Sequence, residues 1–166
     1  MRIGTDRTGA LLRSPEGPNI AVLELNGFDT HIRQGTTGGA LANRLTNLGE
    51  ALTALATSLG PAWSKTVVAV VTEFGRTVSP NGSGGTDHGT ASVSLLLGGA
   101  IKGGRVVADW PGLTRSDLHE GRDLKPTIDS RSIFGGLLHE HLAIPTTYLT
   151  ETVFPGAPIP LTGLVR

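Results

Sequence analysis

The stretch Thr66–Thr72 reads TVVAVVT and decides the fold class that the sequence predicts. Its β-branched residues favour extended backbone, and no polar residue alternates with them. A strand of this composition is typical of a sheet that is covered on both faces. We therefore expect Thr66–Thr72 to be a central strand of a mostly parallel sheet flanked by helices.

Two helices are predicted around this strand. From Gly38 to Leu59 the leucines recur at alternating steps of four and three residues, which places one apolar stripe along a helix. The following Gly60-Pro61 predicts its end. Asp129 is a candidate N-cap of a second helix that runs to about Leu142. The core side of that second helix is expected to carry Ile133, Phe134, Leu137, Leu138 and Leu142.

Two further strands are predicted, at Ile20–Leu25 and Ser92–Leu97. The order strand, helix, strand, strand, helix indicates an α/β fold with three layers. Residues 1–17 are polar and rich in Gly and Pro, so we expect an irregular lead-in there and one domain over residues 18–166. Ligand sites in such sheets lie in the loops that follow the strands.

Composition limits the classes of function. The formal net charge is zero, which gives no electrostatic case for binding nucleic acid. The apolar runs are too short for a membrane span, and the amino terminus lacks the apolar stretch of a signal peptide. The chain has no Cys, so a metal would be held by His and carboxylates. Such ligands suit zinc, manganese, magnesium or calcium.

The first candidate site is Phe28-Asp29-Thr30-His31, which follows the predicted strand Ile20–Leu25. A carboxylate and an imidazole two residues apart in a loop can turn toward one ion. The alternative is a polar loop in which Asp29 caps the next helix or a turn.

The second candidate is Gly84-Gly85-Thr86-Asp87-His88-Gly89. Glycines allow the backbone to approach an ion closely. Because Asp87 and His88 are adjacent, we expect one to bind the ion and the other to orient that neighbour or to face a second ion. The alternative is a flexible glycine-rich turn.

The third candidate lies where the Thr66–Thr72 strand ends, in Glu73-Phe74-Gly75-Arg76. Glu73 is placed as a metal ligand or a base, and Arg76 as a fork for a tetrahedral anion. The two residues could instead pair with each other. His139 and His141 do not have the spacing of a helical zinc motif, and we expect them at the surface or at its boundary.

Several blocks of the sequence resemble one family. They are ELNGFDTHIRQG (24–35), VVTEFGRTVSPNGSGGTDHG (70–89), LLLGGAIKGGRVVADWPGL (95–113), GRDLKPTIDSRSIFGGLLHEHLAIP (121–145) and VFPGAPIPLTGLVR (153–166). Together they resemble the carboxyl-terminal half of the bacterial proteins grouped as domain of unknown function 1501. That resemblance implies an alkaline-phosphatase-like and sulfatase-like fold, present here as an incomplete domain. It also implies periplasmic export by the twin-arginine route.

The same resemblance implies a ligand set. Asp29, His31 and His88 correspond to the Asp, His and later His that hold one metal in that superfamily. Glu73 stands where a second metal is held by Asp-His, with Phe74 in place of the His. In a rival alignment, Asp87 and His88 fill that second position.

The implied activity is metal-dependent hydrolysis of a phosphate or sulfate ester. In the superfamily the nucleophile comes from an amino-terminal strand, and no residue of this chain matches it. A small-molecule ester is the expected substrate, and a complementing amino-terminal half or a second copy is an expected partner. The alternative is a non-catalytic structural or partner-binding module on a degenerate or truncated fold of this type.

Overall fold

The computed structural model describes residues 2–166, and the side chains from Gly4 onward. The chain forms two compact units. The first unit contains the residues up to Trp63 together with Thr77–His88, and the second contains Ser64–Arg76 and Gly89–Arg166. No helix among residues 2–166 combines the length and apolar character that a membrane crossing requires.

The first unit is built on two helices, α1 (Arg2–Leu12) and α2 (Ala40–Leu59). The helix predicted from the leucine spacing is confirmed, and its apolar stripe is buried at Leu55 and Leu59, whereas Leu45 is 52% exposed. The residues of α1 were expected to be irregular, and they form a helix instead. Its Thr5 is buried, and the carbonyl of Asp6 accepts a hydrogen bond from the Ser58 hydroxyl in α2. Packing against a neighbouring helix thus stabilises a segment whose own pattern is weak.

The residues Ile20–Leu25 also differ from their prediction. They form no strand, and Ile20 and Val22 are strongly exposed. An apolar, β-branched run favours extended backbone, but it becomes a strand only where a second strand pairs with it. Within residues 2–166 no strand does so.

The second unit contains the predicted strand Thr66–Thr72 in shortened form, as β1 (Val68–Val70). After it, the two-residue strands β2 (Gly75–Arg76) and β3 (His88–Gly89) stand where the chain passes between the units. The strand β4 (Leu95–Leu97) pairs with β1 in antiparallel register, with Ala69 opposite Leu96. The residues of β1 are half-buried rather than buried. The mostly parallel sheet remains a prediction, since this one pair of strands does not test it.

The helix α3 (Ser130–Leu142) begins and ends as predicted. Its N-cap Asp129 accepts a hydrogen bond from the backbone N–H of Arg131, which satisfies one free donor of the first turn. Leu137 is buried in the core of the second unit with Ile101 and Leu164. On the same helix Leu142 is exposed, so the predicted core side is narrower than expected.

The chain after α3 packs back on the second unit. A helical turn, α4 (Thr146–Tyr148), leads into a π-helical turn at Leu149–Val153. The final residues then run beside Ile101, which forms a bridge with Val165. The carboxylate of Glu140 accepts hydrogen bonds from the backbone N–H groups of Gly163, Leu164 and Val165. This carboxylate anchors the end of the chain to α3.

Candidate metal centre

The candidate centre lies in the first unit, where two loops run side by side. We call residues 26–35 the first loop and residues 77–88 the second loop. An antiparallel bridge joins Ile32 to Gly84, and the backbone N–H of Thr86 donates to the carbonyl of Thr30. These backbone contacts bring residues that are distant in sequence next to each other, so their side chains form one group.

Three side chains meet at this junction. The Oδ1 atom of Asp29 lies 3.0 Å from Nε2 of His31 and 2.9 Å from Nε2 of His88. The two Nε2 atoms are 3.1 Å apart. The structure thus brings together the three residues predicted from the sequence as the main ligand set.

The triangle of donor atoms matches the dimensions of a metal site. An ion that binds oxygen and nitrogen at about 2.0–2.2 Å holds neighbouring donors about 2.8–3.1 Å apart when they are at right angles, and about 3.3–3.6 Å apart at the tetrahedral angle. Three donors on one side of an ion leave the remaining positions open to water or a ligand, as in catalytic zinc sites. The side chains of Asp29, His31 and His88 are 57%, 40% and 50% exposed, so the triangle is accessible from solvent.

The contact between His31 and Asp87 gives a further argument. Nδ1 of His31 lies 3.3 Å from Oδ1 of Asp87. In a neutral imidazole, an Nδ1 proton that points to this carboxylate leaves a lone pair on Nε2. That lone pair then faces the anionic Oδ1 of Asp29 at 3.0 Å, so two acceptors oppose each other. When the His31 proton is on Nδ1, a cation between Nε2 of His31 and Oδ1 of Asp29 removes this repulsion. One carboxylate and two imidazoles are also a donor set that fits a divalent ion.

The side chain of Asp87 reaches a ligand candidate in the first loop, a contact that its sequence position did not predict. Its carboxylate contacts the ring of His31 in the other loop. A carboxylate behind a metal-binding imidazole fixes the ring orientation and raises its basicity. Asp87 therefore has the geometry of an orienting residue for His31.

Glu73 and Arg76 belong to the second unit. Glu73 is exposed in the segment between β1 and β2. The guanidinium carbon of Arg76 lies 5.7 Å from the centre of the Phe74 ring, which is a cation–π contact. The roles predicted for Glu73 and Arg76 stay predictions.

The remaining histidines lie in the second unit. His139 and His141 are half-buried on α3, and Nδ1 of His139 lies 2.9 Å from the carbonyl oxygen of Ile144. His119 is exposed. None of the three belongs to a group of potential metal ligands among the described residues.

Two residues that connect the loops were missed by sequence reasoning. Oε1 of Gln34 accepts hydrogen bonds from the hydroxyls of Thr30 and Thr86. Asn81 in the second loop donates to the carbonyl of His31 and to Oδ1 of Asp87. The only local signal was the Asn81-Gly82 dipeptide, which predicts a turn but no contact with another loop.

Comparison with known proteins gives one relationship. The model of the family described as "Protein of unknown function (DUF1501)" matches residues 4–153. No curated protein and no solved structure matches the chain significantly. The match begins within α1 and covers most of both compact units. The chain therefore belongs to the DUF1501 family of proteins of unknown function.

Proposed function

We propose that the chain forms a metal-dependent hydrolase-like domain that acts on phosphate or sulfate esters. The observation that carries this proposal is the triangle of Asp29 Oδ1, His31 Nε2 and His88 Nε2, with edges of 2.9 to 3.1 Å. One carboxylate and two imidazoles form a donor set that suits zinc or manganese.

The residues of the centre have two tasks in this proposal, binding the ion and orienting a ligand. Asp29, His31 and His88 hold the ion, and Asp87 orients His31 through its Nδ1 atom. A bound ion supplies charge that polarises an ester oxygen or lowers the pKa of a bound water. The exposure of the three ligands leaves room for an ester on the solvent side.

The resemblance to the alkaline phosphatase and sulfatase superfamily supports the choice of substrate class. On the same resemblance we propose that the domain has a mostly parallel sheet and that the chain corresponds to the carboxyl-terminal half of such a domain. We also propose that the protein is exported to the periplasm. We also propose that Glu73 is a ligand of a second metal or a base. Arg76 is proposed to bind a tetrahedral anion through two of its N–H groups.

Metal stoichiometry tests the proposal directly. We would measure bound zinc and manganese by elemental analysis in the wild type, in His88→Ala and in Asp29→Ala. His119→Ala is the matched control, since it removes an exposed histidine outside the triangle. We expect one ion per chain in the wild type and the control, and more than about 100-fold weaker binding when a ligand is lost. A folded wild type without a bound ion would overturn the proposal.

Turnover then tests the reaction class. Wild type loaded with metal is expected to hydrolyse an aryl phosphate or an aryl sulfate, and His88→Ala is expected to lose this activity. Stoichiometric binding without any ester hydrolysis would leave a metal site and contradict the hydrolase.

A non-catalytic module is the second candidate. The observation that favours it is position 74, next to Glu73, where an aromatic ring in contact with Arg76 stands in place of a metal ligand. Phe74 also replaces the His that the superfamily carries at this position. For such a module, the double variant Asp29→Ala plus His88→Ala would keep its fold and its partner binding unchanged.

A further inference from the structure

The side chain of Asn81 makes four hydrogen bonds at the junction of the two loops. Its Oδ1 accepts from the backbone N–H groups of Ser83, at 2.9 Å, and of Gly85, at 3.1 Å. Its Nδ2 donates to the carbonyl of His31 and to Oδ1 of Asp87, both at 2.9 Å. This amide uses both donor hydrogens and both acceptor lone pairs.

These partners leave the amide only one orientation. Backbone N–H groups can only donate, so the atom that faces Ser83 and Gly85 must be the oxygen. The nitrogen must then face the carbonyl of His31 and the carboxylate of Asp87. A carbonyl oxygen and an ionised carboxylate can only accept a hydrogen bond. Neither Asp nor a short hydroxyl side chain at position 81 could keep all four interactions.

Asn81 thereby connects the Asp87 carboxylate to a ligand residue. The same oxygen, Oδ1 of Asp87, receives the Asn81 amide and lies 3.3 Å from Nδ1 of His31. The Asn81 amide also holds the His31 backbone. One side chain therefore fixes both the His31 backbone and the acceptor that faces its ring.

We propose that Asn81 is a positioning residue for the metal centre. By holding the Asp87 carboxylate against Nδ1 of His31, it keeps the Nδ1 proton in place and presents Nε2 of His31 to the ion. The inference rests on the proposed function, because it assigns a role in binding the same ion. Loss of a group behind a metal ligand lowers metal affinity about 10- to 100-fold.

Asn81→Ser is the variant of choice. A serine hydroxyl can still accept from nearby backbone N–H groups in this turn, but it is too short to reach Asp87. The matched control is Gln34→Ala, since Gln34 joins the same two loops through hydrogen bonds to Thr30 and Thr86, neither of which is a proposed metal ligand.

The experiment is a double-mutant cycle on metal affinity. We would measure zinc affinity by chelator competition, and the visible spectrum of bound Co²⁺, for Asn81→Ser and Gln34→Ala, each in the wild-type and the Asp87→Ala background. If Asn81 acts through Asp87, Asn81→Ser lowers zinc affinity about 10- to 100-fold in the wild-type background. The same substitution then lowers it only a few-fold in the Asp87→Ala background. The effect of Gln34→Ala is expected to be the same in both backgrounds. The Co²⁺ spectrum should change more in Asn81→Ser than in Gln34→Ala.

The outcomes separate this inference from the proposed function. Equal effects of Asn81→Ser in both backgrounds, or an unchanged affinity, would reduce Asn81 to a structural residue while the metal centre stands. Absence of zinc and Co²⁺ binding in the folded wild type would overturn the proposed function and this inference with it. Circular dichroism of each metal-free variant establishes that the compared proteins are folded.

Discussion

Gly85 lies directly against the backbone of His31. A Cβ atom at position 85 would overlap the carbonyl group of His31 and the carbonyl oxygen of Thr30. The second loop can approach the first loop this closely only because residue 85 has no side chain. This approach places His88 beside Asp29 and His31.

Gly85→Ala is therefore expected to separate the two loops. The overlap involves backbone atoms, which cannot move without breaking the bridge between the loops, so the free energy of unfolding should fall by about 1–3 kcal/mol. Zinc affinity should fall as well. Urea denaturation and chelator competition measure the two effects.

Gly82→Ala is the control for this prediction. A Cβ at Gly82 has no neighbour within 4 Å, so the substitution adds a methyl group in the same loop without a clash. Equal stability losses in Gly82→Ala and Gly85→Ala would show that the close approach at Gly85 is not what matters.

Glu140 should make the stability of the second unit dependent on pH. Burial of its carboxyl group raises the pKa, but hydrogen bonds from the backbone N–H groups of Gly163, Val165 and Leu164 outweigh it, and the pKa is lowered from its ordinary value of 4.5. A group whose pKa is lower in the folded state stabilises the fold above its unfolded-state pKa. This stabilisation disappears as the pH falls through the folded-state pKa.

Glu140→Gln tests this dependence. Glutamine offers one acceptor oxygen in place of two, so at pH 7 we expect a loss of about 1–3 kcal/mol in the free energy of unfolding. The difference from wild type should narrow as the pH falls below the ordinary pKa of 4.5. Denaturant titrations at neutral and acidic pH provide the comparison. Glu151→Gln, at an exposed position of the same unit, should change little. A difference for Glu140→Gln that grew with acidity would contradict the assignment.

Thr90 should stabilise a buried carboxylate in the second unit. Asp123 is only 2% exposed, and its Oδ2 accepts a hydrogen bond of 2.8 Å from the Thr90 hydroxyl. The Arg122 guanidinium and the Thr90 hydroxyl hold the pKa of Asp123 below its usual range. Thr90→Val keeps the shape of the side chain and removes the donor.

We expect Thr90→Val to lower the free energy of unfolding by about 1–3 kcal/mol and to raise the pKa of Asp123, because a hydrogen bond to the charged form is lost. Chemical denaturation and NMR titration of the Asp123 carboxyl measure these two changes. Thr127→Val, at an exposed position in the same unit, is the control. An unshifted Asp123 pKa in Thr90→Val would speak against the role of this hydroxyl.

Local sequence patterns determined the two long predicted helices. The leucine spacing placed α2 correctly, and Asp129 placed the start of α3, because amphipathic periodicity and N-capping act within a few residues. Local sequence patterns gave wrong predictions where contacts with residues distant in the sequence determine the secondary structure. The helix α1 depends on packing against α2, and Ile20–Leu25 lacks a paired strand within residues 2–166.

Composition alone established that a metal would be held by carboxylates and imidazoles, since the chain has no thiol. The sequence also singled out Asp29, His31 and His88. The tertiary structure was needed to show that these three side chains meet, that Asp87 contacts the ring of His31, and that Asn81 holds this pair. The physical reason is the distance along the chain. His31 and Asp87 are 56 residues apart, and the backbone contacts that bring their loops together leave no periodic signal in the sequence.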